Sequence, residues 1–184
     1  MDVLEAIRNR RSIRKYQDKP VPKDLIEQLL AAAVMSPSAM NREVWRFVVV
    51  TDKKRIKELS DAVKRLTPLQ GLEKRFVERM TSKDDLIFYD APLLIIVTAP
   101  AGYKWAHIDC GILAQNMFLA AHSLGLGSCF IGFARSLNND RKLLDELGVP
   151  KDHEVVAPLV FGYPAEEKPI PERTFKDKIL KWIE

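Results

Sequence analysis

Residues 105–124 read "WAHIDCGILAQNMFLAAHSL", a stretch long enough for a helix of several turns and apolar around most of its circumference. A helix without a clear polar face is normally buried, either in the core of its own chain or against a second subunit. The sequence leaves both alternatives open. Gly125 follows the stretch and is most simply its C-cap, because glycine readily adopts the left-handed conformation that ends a helix. The stretch therefore predicts one long buried helix.

Four other segments are rich in the β-branched and aromatic residues that strands prefer. They are "WRFVVVT" at residues 45–51, "LLIIVTA" at 93–99, "CFIG" at 129–132 and "EVVAPLVFGYP" at 154–164. Apolar residues at helical spacing predict three further helices. One begins after Pro22, one is capped by Asp52, and one is capped by Asn138 or Asn139. Because strands and helices do not alternate strictly, the sequence predicts a three-layer α+β arrangement in a single domain, residues 1–184.

Composition limits the classes of function. The chain has 184 residues, of which 47% are hydrophobic and 29% charged, as in an ordinary globular protein. Its net charge of +4 suits an anionic small ligand and is too small to indicate nucleic acid. Cys110 and Cys129 are far apart and form no CxxC pair, and the N-terminus lacks the apolar core of a signal peptide, so we expect a cytoplasmic protein. The histidines have no metal-ligand spacing, and no apolar run reaches the roughly 20 residues that span a bilayer.

A cluster of basic residues lies near the N-terminus, where residues 8–16 read "RNRRSIRKY". In extended backbone Arg10, Ser12 and Arg14 point to one side of the chain, and in a helix Arg10 and Arg14 still meet as an i, i+4 pair. Guanidinium groups bind phosphate oxygens through paired hydrogen bonds, which makes a phosphate group the natural occupant. The alternative is a charged turn in solvent, and the cluster alone does not decide between the two.

Two further segments offer groups to a ligand. Residues 36–45, "SPSAMNREVW", form a loop with free backbone N–H groups and the side chains of Ser36, Ser38 and Asn41, which suit a polyhydroxyl chain or the edge of a heteroaromatic ring. The alternative is a simple connection between a helix and a strand. Gly132 follows a predicted strand and allows the backbone to approach a flat ligand. The neighbouring "GLGSCFIGF" is not a dinucleotide-binding GxGxxG, because it follows a helix.

Four segments together resemble the nitroreductase-like flavoproteins in their order and spacing, over nearly the whole chain: "RRSIRKY", "SPSAMNREVWRFVVV", "ILAQNMFLAAHSLGLGSCFIG" and "VVAPLVFGYPAEEKP". The resemblance implies a three-layer α/β/α fold with a mixed, mostly antiparallel sheet. It also implies a homodimer with exchanged C-terminal arms, about residues 165–184, and non-covalent FMN in sites shared by the two subunits. Residues 41–45 read "NREVW" where many members have NxQPW, and the segment 66–86 is short, as in compact members.

The resemblance assigns cofactor contacts residue by residue. Near the N-terminus the implied contacts are to the phosphate, the ribityl chain and the pyrimidine edge of the ring, and Arg173 is a further phosphate ligand. Ile131 and Gly132 would lie beside the central ring, with a backbone N–H near N5. The loop contacts would come from the other subunit. The implied FMN-binding residues are Arg10, Arg11, Ser12, Arg14, Pro37, Ser38, Ala39, Asn41, Ile131, Gly132 and Arg173.

The implied activity is that of an FMN-dependent oxidoreductase, which takes hydride from NADH or NADPH at flavin N5 and passes electrons to a nitroaromatic, quinone or similar acceptor. No side chain is expected to act as an obligatory catalytic acid or base, because the hydride moves directly between nicotinamide and flavin. The alternatives are a flavin-destructase or dehalogenase-like activity on the same fold, a flavin carrier or sensor without turnover, and a basic nucleic-acid or anion-binding protein. The last predicts several exposed aromatics among the basic residues, and only Tyr16 accompanies the cluster, so we expect neither a nucleic-acid nor a membrane partner.

Overall fold

The computed structural model describes residues 2–184 as a four-stranded sheet with helices on both faces. The α-helices are α1 Val3–Asn9, α2 Lys23–Val34, α3 Lys53–Leu66, α4 Lys74–Thr81, α5 Ala106–Ser123 and α6 Arg141–Glu146. The strands are β1 Arg46–Val50, β2 Leu93–Pro100, β3 Gly127–Phe130 and β4 His153–Gly162. Short 3-10 helices form at Ala39–Asn41, Gly132–Asn139 and Lys176–Lys178.

The strands lie in the order β1-β2-β4-β3, and each neighbouring pair is antiparallel. A parallel contact occurs beside β3, where Ser12 forms an isolated bridge with Ser128. This contact brings the basic N-terminal segment to the β3 edge of the sheet. The predicted three-layer, mostly antiparallel α+β fold is confirmed.

Both faces of the sheet are buried because side chains alternate along the central strands. On β2, Leu93, Ile95 and Val97 pack on the side of α2 and α5, whereas Leu94 and Ile96 pack on the side of α3. The alternation explains why this strand is apolar at consecutive positions. The pairing of β2 with β4 shifts register between Val97 and Thr98, so one residue of β4 is bulged there.

Helix α5 is buried against its own sheet, which confirms one of the two alternatives for the apolar helix. Leu113, Met117 and Ala121 are completely buried in the core that β2 and β4 share with α2. Its other side leaves Ile108 and Ile112 exposed, at 54% and 38% of their surface. The helix is therefore central to the fold and still presents an apolar side for contact with another molecule.

The predicted helix caps had different outcomes. The Asp52 carboxylate accepts the Arg55 N–H at 2.6 Å and caps α3 as expected. The expectation for α6 was wrong, because Asp140 is its cap and accepts the Leu143 N–H at 3.1 Å. Asn138 instead makes two bonds with the backbone of Val155, donating to its carbonyl at 3.0 Å and accepting its N–H at 2.7 Å. Its amide therefore satisfies the β4 backbone next to the bulge.

The helices of residues 2–184 include none that is both long and apolar enough to cross a membrane.

Candidate functional site

The segment that follows α1 is extended and lies along β3. The Ile13 N–H donates to the Ser128 carbonyl at 3.0 Å, next to the bridge of Ser12 with Ser128. A Cβ added to Gly127 would lie 2.8 Å from the Cβ of Ile13, so a residue with a side chain would push Ile13 away from the strand. These contacts fix the register, and the extended alternative for the basic cluster is the one that the chain adopts.

The thiol of Cys129, a buried residue of β3, interacts with side chains of this extended segment. Ser12 is hydrogen-bonded to this thiol, and the charges of Arg14 and Arg10 act on it. Burial nevertheless raises the pKa of the Cys129 thiol above its ordinary value. Residues 10, 12 and 14 lie on one side of the segment, because side chains alternate in an extended chain.

The guanidinium group of Arg10 lies in a positive environment. Burial, and then the charges of Arg11 and Arg173, lower the pKa of Arg10 below its usual range. Its guanidinium carbon is 5.6 Å from the centroid of the Phe118 ring. None of the salt bridges formed within residues 2–184 includes Arg10, Arg14 or Arg173. Arg10 is partly buried and Arg14 and Arg173 are exposed, and cations that form no salt bridge with a carboxylate can bind an anionic ligand.

A cavity of about 440 Å³ begins at Arg14 and contains residues from three distant parts of the chain. Ile131 and Gly132 line it directly after β3, and Arg79 of α4 and Tyr89 line it from another side. The Tyr89 side chain is hydrogen-bonded to Arg14, and the Arg79 guanidinium carbon lies 5.4 Å from the Tyr89 ring centroid. The other lining residues are apolar: Ile87, Phe130 and Phe133. The cavity combines apolar side chains with the cations Arg14 and Arg79, which suits an aromatic ligand with an electron-rich edge.

Arg11 has a different environment from its neighbours. Its side chain donates to backbone carbonyls of Arg8 and Arg10, and its Nε donates to the Pro169 carbonyl at 3.3 Å. It therefore connects the N-terminal segment to the C-terminal one instead of lining the cavity at Arg14.

The loop between α2 and β1 lies apart from this cavity, because Pro37, Ser38, Ala39 and Asn41 do not line it. The Ser38 hydroxyl accepts the Glu43 N–H at 3.0 Å, and the Asn41 amide donates to the Glu43 carboxylate at 3.3 Å. Three residues without the freedom of glycine have positive φ, namely Met40 at 55°, Asn41 at 50° and Glu43 at 47°. Such conformations are unfavourable, and they persist only where the surroundings hold them in place.

Comparison with known proteins identifies the family. The family model described as the nitroreductase family matches residues 7–163. The chain belongs to the nitroreductase family. A nitroreductase with bound FMN from Bacteroides fragilis is 36% identical, with full coverage of both chains and a TM-score of 0.87.

Two curated relatives extend this comparison. A protein of Methanothermobacter thermautotrophicus, whose provisional name is NADH dehydrogenase/NAD(P)H nitroreductase, is 36% identical over 90% of this chain and 79% of its own length. An iodotyrosine deiodinase of Nematostella vectensis is 28% identical over 95% of this chain and 72% of its own length.

For this member of the nitroreductase family, the structure brings some predicted site residues together and separates others. Arg14, Ile131 and Gly132 line one cavity, and Arg173 acts on Arg10. The loop residues Pro37, Ser38, Ala39 and Asn41 do not line this cavity. Arg79 and Tyr89 were missed, because their positions depend on how α4 packs. The signal available was the amphipathic pattern of α4, in which Met80 is buried and basic residues lie on the other side. Within residues 2–184 no group of three metal-ligating side chains is close enough to hold an ion.

Proposed function

We propose that this protein binds FMN and is an NAD(P)H-dependent oxidoreductase that passes electrons to a nitroaromatic, quinone or similar small acceptor. The observation that carries the proposal is the extended pairing of the basic N-terminal segment with β3, because alternation then puts Arg10, Ser12 and Arg14 on one side and Arg14 lines the cavity of Ile131 and Gly132. A phosphate, a polyhydroxyl chain and a flat ring follow each other in that order in FMN. The residues therefore fit the cofactor in both chemistry and sequence along the site.

Arg10 and Arg173 would hold the phosphate, because both are positive and neither has a carboxylate partner among the described residues. Ser12 would donate or accept at the ribityl chain, and Arg14 would lie at the pyrimidine edge. Arg11 would contribute mainly by fixing the segment, given its bonds to backbone carbonyls.

When bound, FMN supplies the two-electron chemistry, accepting hydride at N5. Arg14 would stabilise the negative charge that reduction places on the pyrimidine edge, because a fixed cation needs no rearrangement when the charge appears. Gly132 would allow close approach of the backbone to the ring, since a Cβ is absent there. Ile131 and Phe133 would exclude water from one face of the ring and leave the other face for nicotinamide and acceptor in turn.

The second half of the site would come from another copy of the chain. The loop of Pro37, Ser38, Ala39 and Asn41 has the polar groups but lies away from the cavity of its own chain. Exposed apolar residues flank it, with Met35 at 80% and Met40 at 70% of their surface exposed. Burial of these side chains against a second subunit would bring the loop to that subunit's flavin.

A reductive dehalogenase is the second candidate, because the deiodinase relative is similar over most of its length. The structure favours the first candidate over this one. Between α3 and β2 the only α-helix in the described residues is α4, with 8 residues, so this segment carries no longer helical insertion that would close over a substrate. Loss of halide from an iodophenol at a rate above that of nitroaromatic reduction would reverse this order.

The test is an absorption spectrum of the purified protein before and after anaerobic addition of NADH, and separately of NADPH. We expect a flavin spectrum, loss of the visible band with at least one donor, and its return when a nitroaromatic or quinone is added. Acid release followed by chromatography is expected to yield FMN and no FAD, because the site has one phosphate-sized set of cations. Free FMN at the same concentration is the control for reduction in solution. A colourless protein that takes up no FMN refutes the proposal, and a flavin that neither donor reduces assigns the protein a carrier or sensor role.

A further inference from the structure

The strained loop is held by polar side chains of α5 and of the turn before it. The Ala39 N–H donates to Oδ1 of Asp109 at 3.1 Å, and the Tyr103 hydroxyl donates to the Ala39 carbonyl at 3.4 Å. Further along α5, the Asn116 amide donates to the hydroxyl of Ser36 at 2.8 Å. Both backbone groups of Ala39 and the first residue of the loop are thus bonded to one rigid element.

Asp109 is the most unusual of these residues. It is 98% buried, because only 2% of its surface is exposed, and its second carboxylate oxygen has no hydrogen-bond partner among the described residues. A buried carboxylate with an unsatisfied oxygen destabilises a protein relative to an apolar residue of similar shape. Its position in the first turn of α5 offsets part of this penalty through the helix dipole. Stability of the fold alone therefore does not explain the residue.

The strain in the loop provides the explanation. Three residues close together in the loop, Met40, Asn41 and Glu43, have positive φ, and Asp109 accepts the N–H of Ala39, the residue directly before the first of them. An ion accepts a backbone N–H more strongly than a neutral group does. The Asp109 carboxylate is the strongest acceptor in the set of contacts that keeps the loop in this conformation.

We propose that Asp109 is a positioning residue, which holds the loop of Ser38, Ala39 and Asn41 in the conformation that receives the flavin of the other subunit. This inference rests on the proposed function, because it assumes that the loop contacts the flavin of the other subunit. The contact with Ala39 itself does not depend on it. Asn116 supports the same loop from its N-terminal side through Ser36.

The test compares Asp109→Leu, which removes the acceptor at similar side-chain size, with Asp109→Asn, which keeps an oxygen acceptor for the Ala39 N–H and removes the charge. The matched control is Asp52→Ala, because Asp52 also accepts a single backbone N–H, that of Arg55, at a position remote from the loop. Two quantities are measured in the full chain: hydrogen exchange at the Ala39 amide, and release of FMN on dilution, followed by recovery of its fluorescence.

We expect Asp109→Leu to accelerate exchange at Ala39 and to raise the FMN dissociation constant about tenfold, as for the loss of one charge-assisted hydrogen bond. Asp109→Asn should restore both quantities most of the way to those of the parent. Asp52→Ala should lower the unfolding temperature without changing either one. If Asp109→Leu does not fold, Asn116→Ala provides the test, since it releases the other end of the same loop and is expected to change both quantities in the same direction.

Several outcomes overturn the inference. Unchanged exchange at Ala39 in Asp109→Leu shows that the bond does not hold the loop. Faster exchange with unchanged FMN release shows that the loop conformation does not serve the cofactor. Equal effects in Asp109→Leu and Asp52→Ala show that general stability is responsible. A parent protein that binds no FMN refutes the proposed function. In that case the hydrogen-exchange rate at Ala39 still tests whether Asp109 holds the loop.

Discussion

Replacement of Arg10 and Arg14, one at a time, distinguishes the two ends of the proposed cofactor site. Arg10 lies near Arg11 and Arg173 and has no carboxylate partner within the described residues. Its loss removes a charge-assisted contact to phosphate, which corresponds to roughly 1.5–3 kcal/mol, or about one to two decades in the dissociation constant of FMN. Because the phosphate is far from the ring, the midpoint potential should change little. Stability without FMN should be unchanged or slightly higher, since Arg10→Ala also removes repulsion among like charges.

Loss of Arg14 should change the midpoint potential of the flavin, because Arg14 lines the cavity with Ile131 and Gly132. A unit charge about 5 Å from the reduced pyrimidine edge stabilises it by about 3 kcal/mol at an effective dielectric constant of about 20. Delocalisation of the charge over the ring and access of solvent reduce this to about half. Since 1.4 kcal/mol corresponds to about 30 mV for two electrons, Arg14→Ala should lower the midpoint potential by roughly 30 mV.

The assay combines FMN titration of each variant with a potentiometric titration of the bound flavin. Lys15→Ala is the matched control, because the Lys15 side chain is exposed and only its carbonyl is engaged, accepting the Ala165 N–H at 2.9 Å. It should match the parent in both measurements. If the three variants behave alike, the cluster is a charged turn in solvent. A larger fall in potential for Arg10→Ala than for Arg14→Ala would reverse the assigned orientation of the cofactor.

Three further predictions concern assembly, register and the thiols. Light scattering at the lowest measurable concentration should find the FMN-loaded protein as a dimer, and a flavin-loaded monomer would contradict the shared site. Gly127→Ala should weaken FMN binding more than it lowers the unfolding temperature, because its Cβ would displace Ile13 and with it the segment of Arg10 and Arg14; equal affinity in variant and parent would refute the register argument. Burial raises the pKa of Cys110 to about 12 and that of Cys129 above its ordinary value, so neither thiol should react with a disulfide reagent at pH 8 until the protein unfolds.

The elements that could be predicted from sequence are those with a strong local signal. Helix α5 and strand β2 are apolar at nearly every position, and their bounds in the structure differ from the predicted ones by a single residue at the ends. The cap of α6 could not be predicted, because the side chain of Asn138 is used by Val155 of a distant strand. A local motif of asparagine before a helix looks the same whether or not such a partner exists.

The candidate site was predictable in composition and not in geometry. Arginines at positions 10 and 14 meet on one side in a helix as well as in a strand, so the sequence could not choose between them. The choice is made by the fit of Ile13 against Gly127, a contact between residues more than a hundred positions apart. Arg79 and Tyr89 join the cavity through packing of the same long-range kind. The motifs indicated which residue types the candidate site contains, and tertiary contacts determine where these residues lie.

The C-terminal segment connects these observations to assembly. Its first part is attached to its own chain, because Ala165 donates to the Lys15 carbonyl and the Glu166 carboxylate accepts the Arg14 N–H at 2.6 Å. This attachment positions Arg173 near Arg10 of the same chain.

Beyond Arg173 the chain presents apolar side chains to solvent, with Phe175, Trp182 and Ile183 exposed at 69%, 74% and 86% of their surface. Exposed aromatic and aliphatic residues in such a concentration normally mark a contact surface. In the proposed site, residues up to Arg173 would serve the cofactor of their own chain, and the residues after it would pack on a second subunit. On this proposal the exchanged arm would begin after Arg173 and not at about residue 165, and truncation after Lys176 should weaken the dimer before it weakens the binding of the FMN phosphate.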